Sequence, residues 1–183
     1  MSPFKNPFNI PDEHMRMVGI IACQWEHIEK TLEHTVAEIM GHKPSRVGLL
    51  TMNIGFHTKC ELILAYARAF EKEEPLTWKL FTSSIEHLHT CQKIRSEFVH
   101  ASWHENETDR EKPLRLILST RGKRLTYEER STNIQELYDA AETLDKYASS
   151  FILLMQECGL LLPYPQTPDA QSPDHSSSRN QGT

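Results

Sequence analysis

Glycine is scarce in this chain, with seven in 183 residues. The seven are scattered, and none falls into GxGxxG or GxxxxGK[ST]. The phosphate-cradling loops of dinucleotide-binding and P-loop proteins are therefore excluded. No GxSxG elbow is present, so the strand-to-helix nucleophile of the α/β-hydrolases is excluded as well. The four cysteines, Cys23, Cys60, Cys91 and Cys158, lie far apart and form no CxxC pair. That argues against a zinc ribbon or a thioredoxin-like centre and leaves free, largely buried thiols as the expectation, in a reducing cytoplasm. No run approaches the ~18 consecutive apolar residues that a membrane span needs. The opening MSPFKNPFNIPDEHM has no apolar h-region, so no signal peptide is expected and the expected location is cytoplasmic. Positive charge is not in excess either. The formal net charge is −5, which argues against indiscriminate coating of nucleic acid but leaves room for a local basic site.

What the chain does contain is helical periodicity. From about Asp12 to Met40, Val18, Ile21, Ala22, Trp25, Ile28, Leu32, Val36, Ile39 and Met40 recur at helical spacing, with Asp12 as N-cap and Gly41 and Pro44 as the stop. A second stripe, Phe56, Cys60, Ile63, Ala67 and Phe70, widened by Leu62 and Tyr66, predicts a helix over about Thr51 to Glu71. A third helix is predicted from Pro75 to about Ser102, with Leu80, Phe81, Ile85, Leu88, Cys91, Ile94, Phe98 and Val99 on its apolar face. The period then changes. LRLIL at Leu114–Leu118, a turn around Gly122, and Leu125 to Tyr127 predict a β-hairpin. Residues 110–130 hold seven Lys or Arg against three Glu, so this hairpin is a basic patch on an acidic chain. Thr132 and Gln135 form a candidate capping box for a fourth helix that ends near Cys158 and Gly159. The expected fold is all-α: a four-helix up-and-down bundle with a small β-hairpin insertion between helices 3 and 4. An extended N-terminal arm, 1–11, precedes a domain over 12–160. A polar tail over 161–183, rich in Pro and Ser, has nothing to bury and is expected to be disordered.

Chemistry concentrates in Gln92–His104, QKIRSEFVHASWH. On an ideal helix Arg95 and His100 are about 140° apart around the axis and about 7.5 Å apart along it. Long side chains at a helix end can still converge on one groove, where a guanidinium would hold a phosphate and an imidazole would move a proton. The competing reading makes Arg95 a surface ion-pair partner and His100 a hydrogen-bonded residue at a helix end. Glu86 with His89 and Glu97 with His100 both match Glu-x-x-His, but the two pairs lie about 16 Å apart along one helix and cannot share a two-metal centre. His100 and His104 could hold one ion only if the helix reaches His104. His27 and His34 are about 10 Å apart in rise, too far for a joint site. No metal site is expected. Trp103 is either a base-stacking platform or a core residue.

The segment IRSEFVHASW resembles the signature of HEPN-like helical domains, an Arg, a polar residue and, a few residues on, a His, followed in one branch by a small residue and a Trp. Arg95, Ser96 and His100 take those places. The first helix, with Trp25 and Glu29 as W-x-x-x-E, is similar to the opening helix of that branch. The resemblance covers about residues 15 to 158. It implies a helical bundle, often a homodimer with the two motif helices facing a shared cleft, and in active members a metal-independent endoribonuclease without cofactors. In that chemistry the ribose 2′-hydroxyl attacks the neighbouring phosphate, with His100 as general acid or base and Arg95 on the developing charge. The usual polar residue is Asn. Ser96 offers a single hydroxyl in its place, which bears on catalytic competence. Ser96 and Glu97 would modulate the site, and Trp103, Lys123 and Arg124 are candidate RNA contacts. RNA, a second copy and a protein partner such as an antitoxin are the implied partners. The reading from a different class is a non-catalytic interaction module that dimerises or holds a protein partner.

Overall fold

The computed structural model describes residues 9–41, 54–121 and 124–161. Four helices account for most of it: α1 (Asp12–Ile39), α2 (Phe56–Arg68), α3 (Pro75–Phe98) and α4 (Ile134–Glu157). Three short strands, β1 (Ser102–His104), β2 (Leu114–Arg121) and β3 (Arg124–Ser131), lie between α3 and α4. They form one antiparallel sheet in the order β1-β2-β3. Its register pairs Trp103 with Arg115, and Arg115 in turn with Arg130. The hairpin is thus the second half of a three-stranded meander, and its turn at Gly122 lies outside the described residues.

The apolar stripes close on one core. Ile21, Trp25, Ile28, Leu32 and Val36 of α1 meet Cys60 and Ile63 of α2, Phe81, Ile85, Leu88 and Cys91 of α3, and Leu137, Leu144, Phe151 and Met155 of α4. Burying each of the larger side chains contributes roughly 1.5–3 kcal/mol, so this cluster dominates stability. Four expected core residues are exposed instead: Met40, Leu62, Phe70 and Leu80.

Contacts along the helices fix their directions. The Tyr138 hydroxyl donates to Glu13 and accepts from Arg16, and His14 sits against the Thr132 carbonyl, so α1 and α4 start side by side. Trp25 packs on Phe56, and Lys59 reaches Glu29 and Glu33, so α2 advances in step with α1. Phe56 against His89, and His87 stacked on Tyr147, place α3 opposite to both α2 and α4. Only α3 runs back. The expectation of an up-and-down order is corrected here. That order requires a short first connection, whereas 16 residues (40–55) separate α1 from α2. Their extended reach of ~50 Å exceeds the ~21 Å from the end of α1 back to the level of Trp25.

Local signals explain the boundaries. Pro11, not Asp12, precedes the first turn of α1; Asp12 and Glu13 lie within that turn, where the helix dipole favours acids. Gly41, at φ +66, takes the left-handed conformation that ends α1. α3 stops at Phe98, four residues before the predicted end. There the Trp103 indole N–H donates to the Phe98 carbonyl at 2.9 Å and stands in for the next helical amide. The cap of α4 is shifted by one residue from the expected Thr132 and Gln135. Asn133 accepts from the Gln135 N–H, and Glu136 accepts from the Asn133 N–H.

Candidate functional site

The chemistry-bearing stretch falls where α3 ends and the sheet begins. Arg95 lies in the last turn of α3 and is half-buried, its guanidinium 5.7 Å from the centre of the Trp25 ring on α1. A cation over an indole face is held by the ring's negative π-cloud. His100 lies two residues beyond the helix, exposed, and makes no hydrogen bond or ion pair with another described residue. The fold leaves Arg95 anchored and His100 unanchored, and it forms no contact between them among the described residues. Because α3 stops at Phe98, His104 is in β1, and the helical spacing needed for a His100–His104 pair does not exist.

Ser96 and Glu97 point elsewhere. With Gln92, Lys93, Ile117, Glu128 and Arg130 they line a groove of about 510 Å³ between α3 and the sheet. Glu97 is held on one side of that groove by two guanidinium groups, Arg115 at 3.1 Å and Arg130 at 3.7 Å. Arg130 also donates to Glu128 at 2.7 Å. That hydrogen bond holds the Glu128 carboxyl below its ordinary range.

Arg115, which the sequence reading left unassigned, is the hub of this region. Its side chain is 1% exposed. Nε donates to the Thr132 hydroxyl at 2.8 Å, Nη1 to Glu97, and Nη2 to Glu136 at 3.5 Å. The guanidinium carbon stands 4.1 Å from the centre of the Phe98 ring. A buried cation persists only when its donors and charge are matched, and here two carboxylates, a hydroxyl and a ring face do so. The signal was an Arg inside the apolar run LRLIL. An arginine on the inward face of a strand must have buried partners, though the run alone does not say which.

Trp103 is partly buried against the core, with its N–H used on Phe98. Lys123 lies outside the described residues, and Arg124 opens β3. Burial pushes the thiols of Cys60 and Cys91 up to about 12, so neither supplies a thiolate at neutral pH. Cys23, by contrast, is exposed. Among the described residues no group of three or more His, Cys, Asp or Glu could hold a metal ion, and no helix is long and apolar enough to cross a membrane. No family model, curated protein or solved structure matches the chain.

Proposed function

We propose that the chain is a HEPN-like protein acting on RNA, a metal-independent endoribonuclease of a defence or toxin–antitoxin kind that works in the cytoplasm. The observation that supports this reading is the pairing of a fixed cation with an exposed imidazole at one helix end. Arg95 is held on Trp25, and His100 stands free in the connector that follows. An imidazole open to solvent can exchange protons with water and substrate. A guanidinium near it supplies the charge that a pentavalent phosphorus requires, and no metal is needed for that step. His100 takes the proton of the ribose 2′-hydroxyl, the oxygen attacks the adjacent phosphorus, and the 5′-oxygen of the next nucleotide leaves, taking up a proton from water. The products carry a 2′,3′-cyclic phosphate and a 5′-hydroxyl. Ser96 lies on the groove side of the same turn, one residue from Arg95, where it can meet the RNA backbone. Lys123 and Arg124 guide the strand, and an antitoxin would cover this end.

The test is cleavage of RNA by the purified protein in EDTA, beside His100→Ala and Arg95→Ala. Cyclic-phosphate products from wild type alone are the expected outcome. His100 is exposed, so its alanine variant keeps the wild-type circular dichroism spectrum. Inert wild type overturns the nuclease reading.

A second reading has its own observations. Glu97 is committed to Arg115 and Arg130, and Trp103 to Phe98, so much of the motif serves the fold. That favours a non-catalytic module holding a protein partner. Salt separates the two: RNA held through several phosphates is released steeply as salt rises, whereas a packed interface responds weakly.

A further inference from the structure

The half of the molecule away from Arg95 and His100 presents a different surface. On α4, Lys146, Ser150, Leu153 and Glu157 are all exposed and follow one another at spacings of four, three and four, which is one face of a helix. Leu153 is 58% exposed. On α3, Leu80 is 54% exposed and Leu76 74%. Leu80 and Leu153 line one groove of about 460 Å³ between the two helices, floored by small residues, Ser83, Ser84 and Ser150. Isolated exposed leucines are ordinary, but leucines rimming a groove across two helices mark an interaction face.

The order of residues along that face identifies its occupant. Take the point on α4 midway between Phe151 and Ile152. Lys146 and Glu157 are equidistant from it, and so are Ser150 and Leu153. If a second α4 is laid against the first in the opposite direction about this point, each Lys146 faces a Glu157. Each Leu153 then faces a Ser150, so that a large side chain meets a small one. α3 repeats the pattern about the point between Ser83 and Ser84, with Leu80 and His87 equidistant from it. The two points lie at one level, because His87 stacks on Tyr147 on one side while Leu80 shares its groove with Leu154 and Glu157 on the other. A two-fold axis needs a surface complementary to itself in charge and in size, and this face meets both conditions. Neither Lys146 nor Glu157 has an ion-pair partner among the described residues of its own chain.

From this self-complementarity we infer that the α3–α4 face binds a second copy of the chain, antiparallel, with Leu80 and Leu153 at its centre and Lys146–Glu157 pairs at its ends. The axis crosses α3 some sixteen residues before His100, about 24 Å along the helix. The two Arg95–His100 ends therefore point apart, and each copy keeps its own site rather than sharing one cleft. The inference does not depend on the RNA reading, since no residue of that site takes part.

Sedimentation velocity of the full chain over a concentration series tests it. Wild type is expected to be dimeric. Leu153→Glu, at an exposed position that leaves the monomer's circular dichroism unchanged, raises the dissociation constant about 30-fold or more, as for a central anchor. Lys146→Glu sets like charges opposite each other and weakens the dimer by about five- to tenfold. Adding Glu157→Lys to that variant restores it. A wild-type monomer at every concentration overturns the inference and leaves the face to another partner. A dimer indifferent to Leu153→Glu, or a charge swap that fails to restore association, overturns the face or the register.

Discussion

Two cations are buried among the described residues, Arg115 and Lys59, and they are buried differently. Arg115, between the sheet and the ends of α3 and α4, donates through its three nitrogens to a hydroxyl and two carboxylates and lays its guanidinium on Phe98. Lys59, between α1 and α2, is 4% exposed and places one ammonium between Glu29 at 2.8 Å and Glu33 at 3.3 Å. Both sites balance one positive charge against two carboxylates. The difference lies in what each holds together. Lys59 joins two neighbouring helices that also share Trp25, Phe56 and Cys60. Arg115 joins α3, β2 and the first turn of α4, where Glu136 is also the cap partner of Asn133. A planar fork can be shared among three elements, whereas a point charge serves two.

The largest expected effect follows from that sharing. Arg115→Ala leaves Glu97 and Glu136 facing a vacated polar cavity and is expected to lower stability by about 3–5 kcal/mol, read by chemical denaturation. Arg115→Lys rescues little, because an ammonium cannot reach Thr132, Glu97 and Glu136 together. Lys59→Met is expected to cost less, about 1–3 kcal/mol. Methionine keeps the packing of the Lys59 stem, whereas alanine empties the whole Arg115 site, and Glu33 keeps a hydrogen bond from Lys30 at 3.0 Å. Equal losses at the two sites would mean that the planar fork and the point charge hold the fold equally.

Acid separates the two regions further. His14 is buried beside the Thr132 carbonyl, which puts it in the Arg115 region, and its Nδ1 has no partner among the described residues. Burial pulls its pKa below the ordinary 6.5, against the opposing pull of the Thr132 carbonyl and of Glu13. The unfolded chain therefore takes up this proton first as pH falls. The stability His14 contributes is complete above about 6.5 and is lost as pH drops toward its folded value. For Glu33 burial acts upward, but hydrogen bonds from Lys30 and Lys59, together with their charges, outweigh it and hold the carboxyl below its ordinary 4.5. Its contribution is complete above 4.5 and disappears below that. Denaturation followed against pH is expected to show an early weakening that His14→Gln removes and a later one that Glu33→Gln removes. A single step that neither substitution moves would contradict this assignment.

The helices were legible because their stripes are long. Phe56, Cys60, Ile63 and Ala67 are buried as their spacing says, and so are Ile85, Leu88 and Cys91. What misled was local. The end of α3 depends on an indole five residues away in sequence, and the helix directions depend on the length of one connection rather than on any stripe. Leu80 fits the periodicity of a core face yet is exposed, since spacing cannot say how wide a face its neighbours cover. The segment of the candidate site was legible as residue types, but the partners of Glu97 were not. Arg115 and Arg130 come from strands separated from it in sequence, and only the sheet register brings them together.

The smallest expected effect on stability is at Ser96, and it bears most directly on what the site does. Ser96 is exposed on the groove side of α3 and has no hydrogen bond to another described residue. Ser96→Asn should therefore change stability by less than about 0.5 kcal/mol, as surface substitutions away from special features do. Its effect on chemistry is not bounded in that way. An amide brings two donors where the hydroxyl brings one, and it stands one residue from the cation proposed to meet the phosphate. If the Arg95–His100 end works on RNA, the variant is expected to cleave faster, or to bind RNA more tightly, at unchanged stability. If Glu97 and its two arginines make this region purely structural, the substitution leaves both readouts where they were. A change in RNA binding or cleavage without a change in stability would separate the function of this helix end from the Arg115 scaffold that holds it in place.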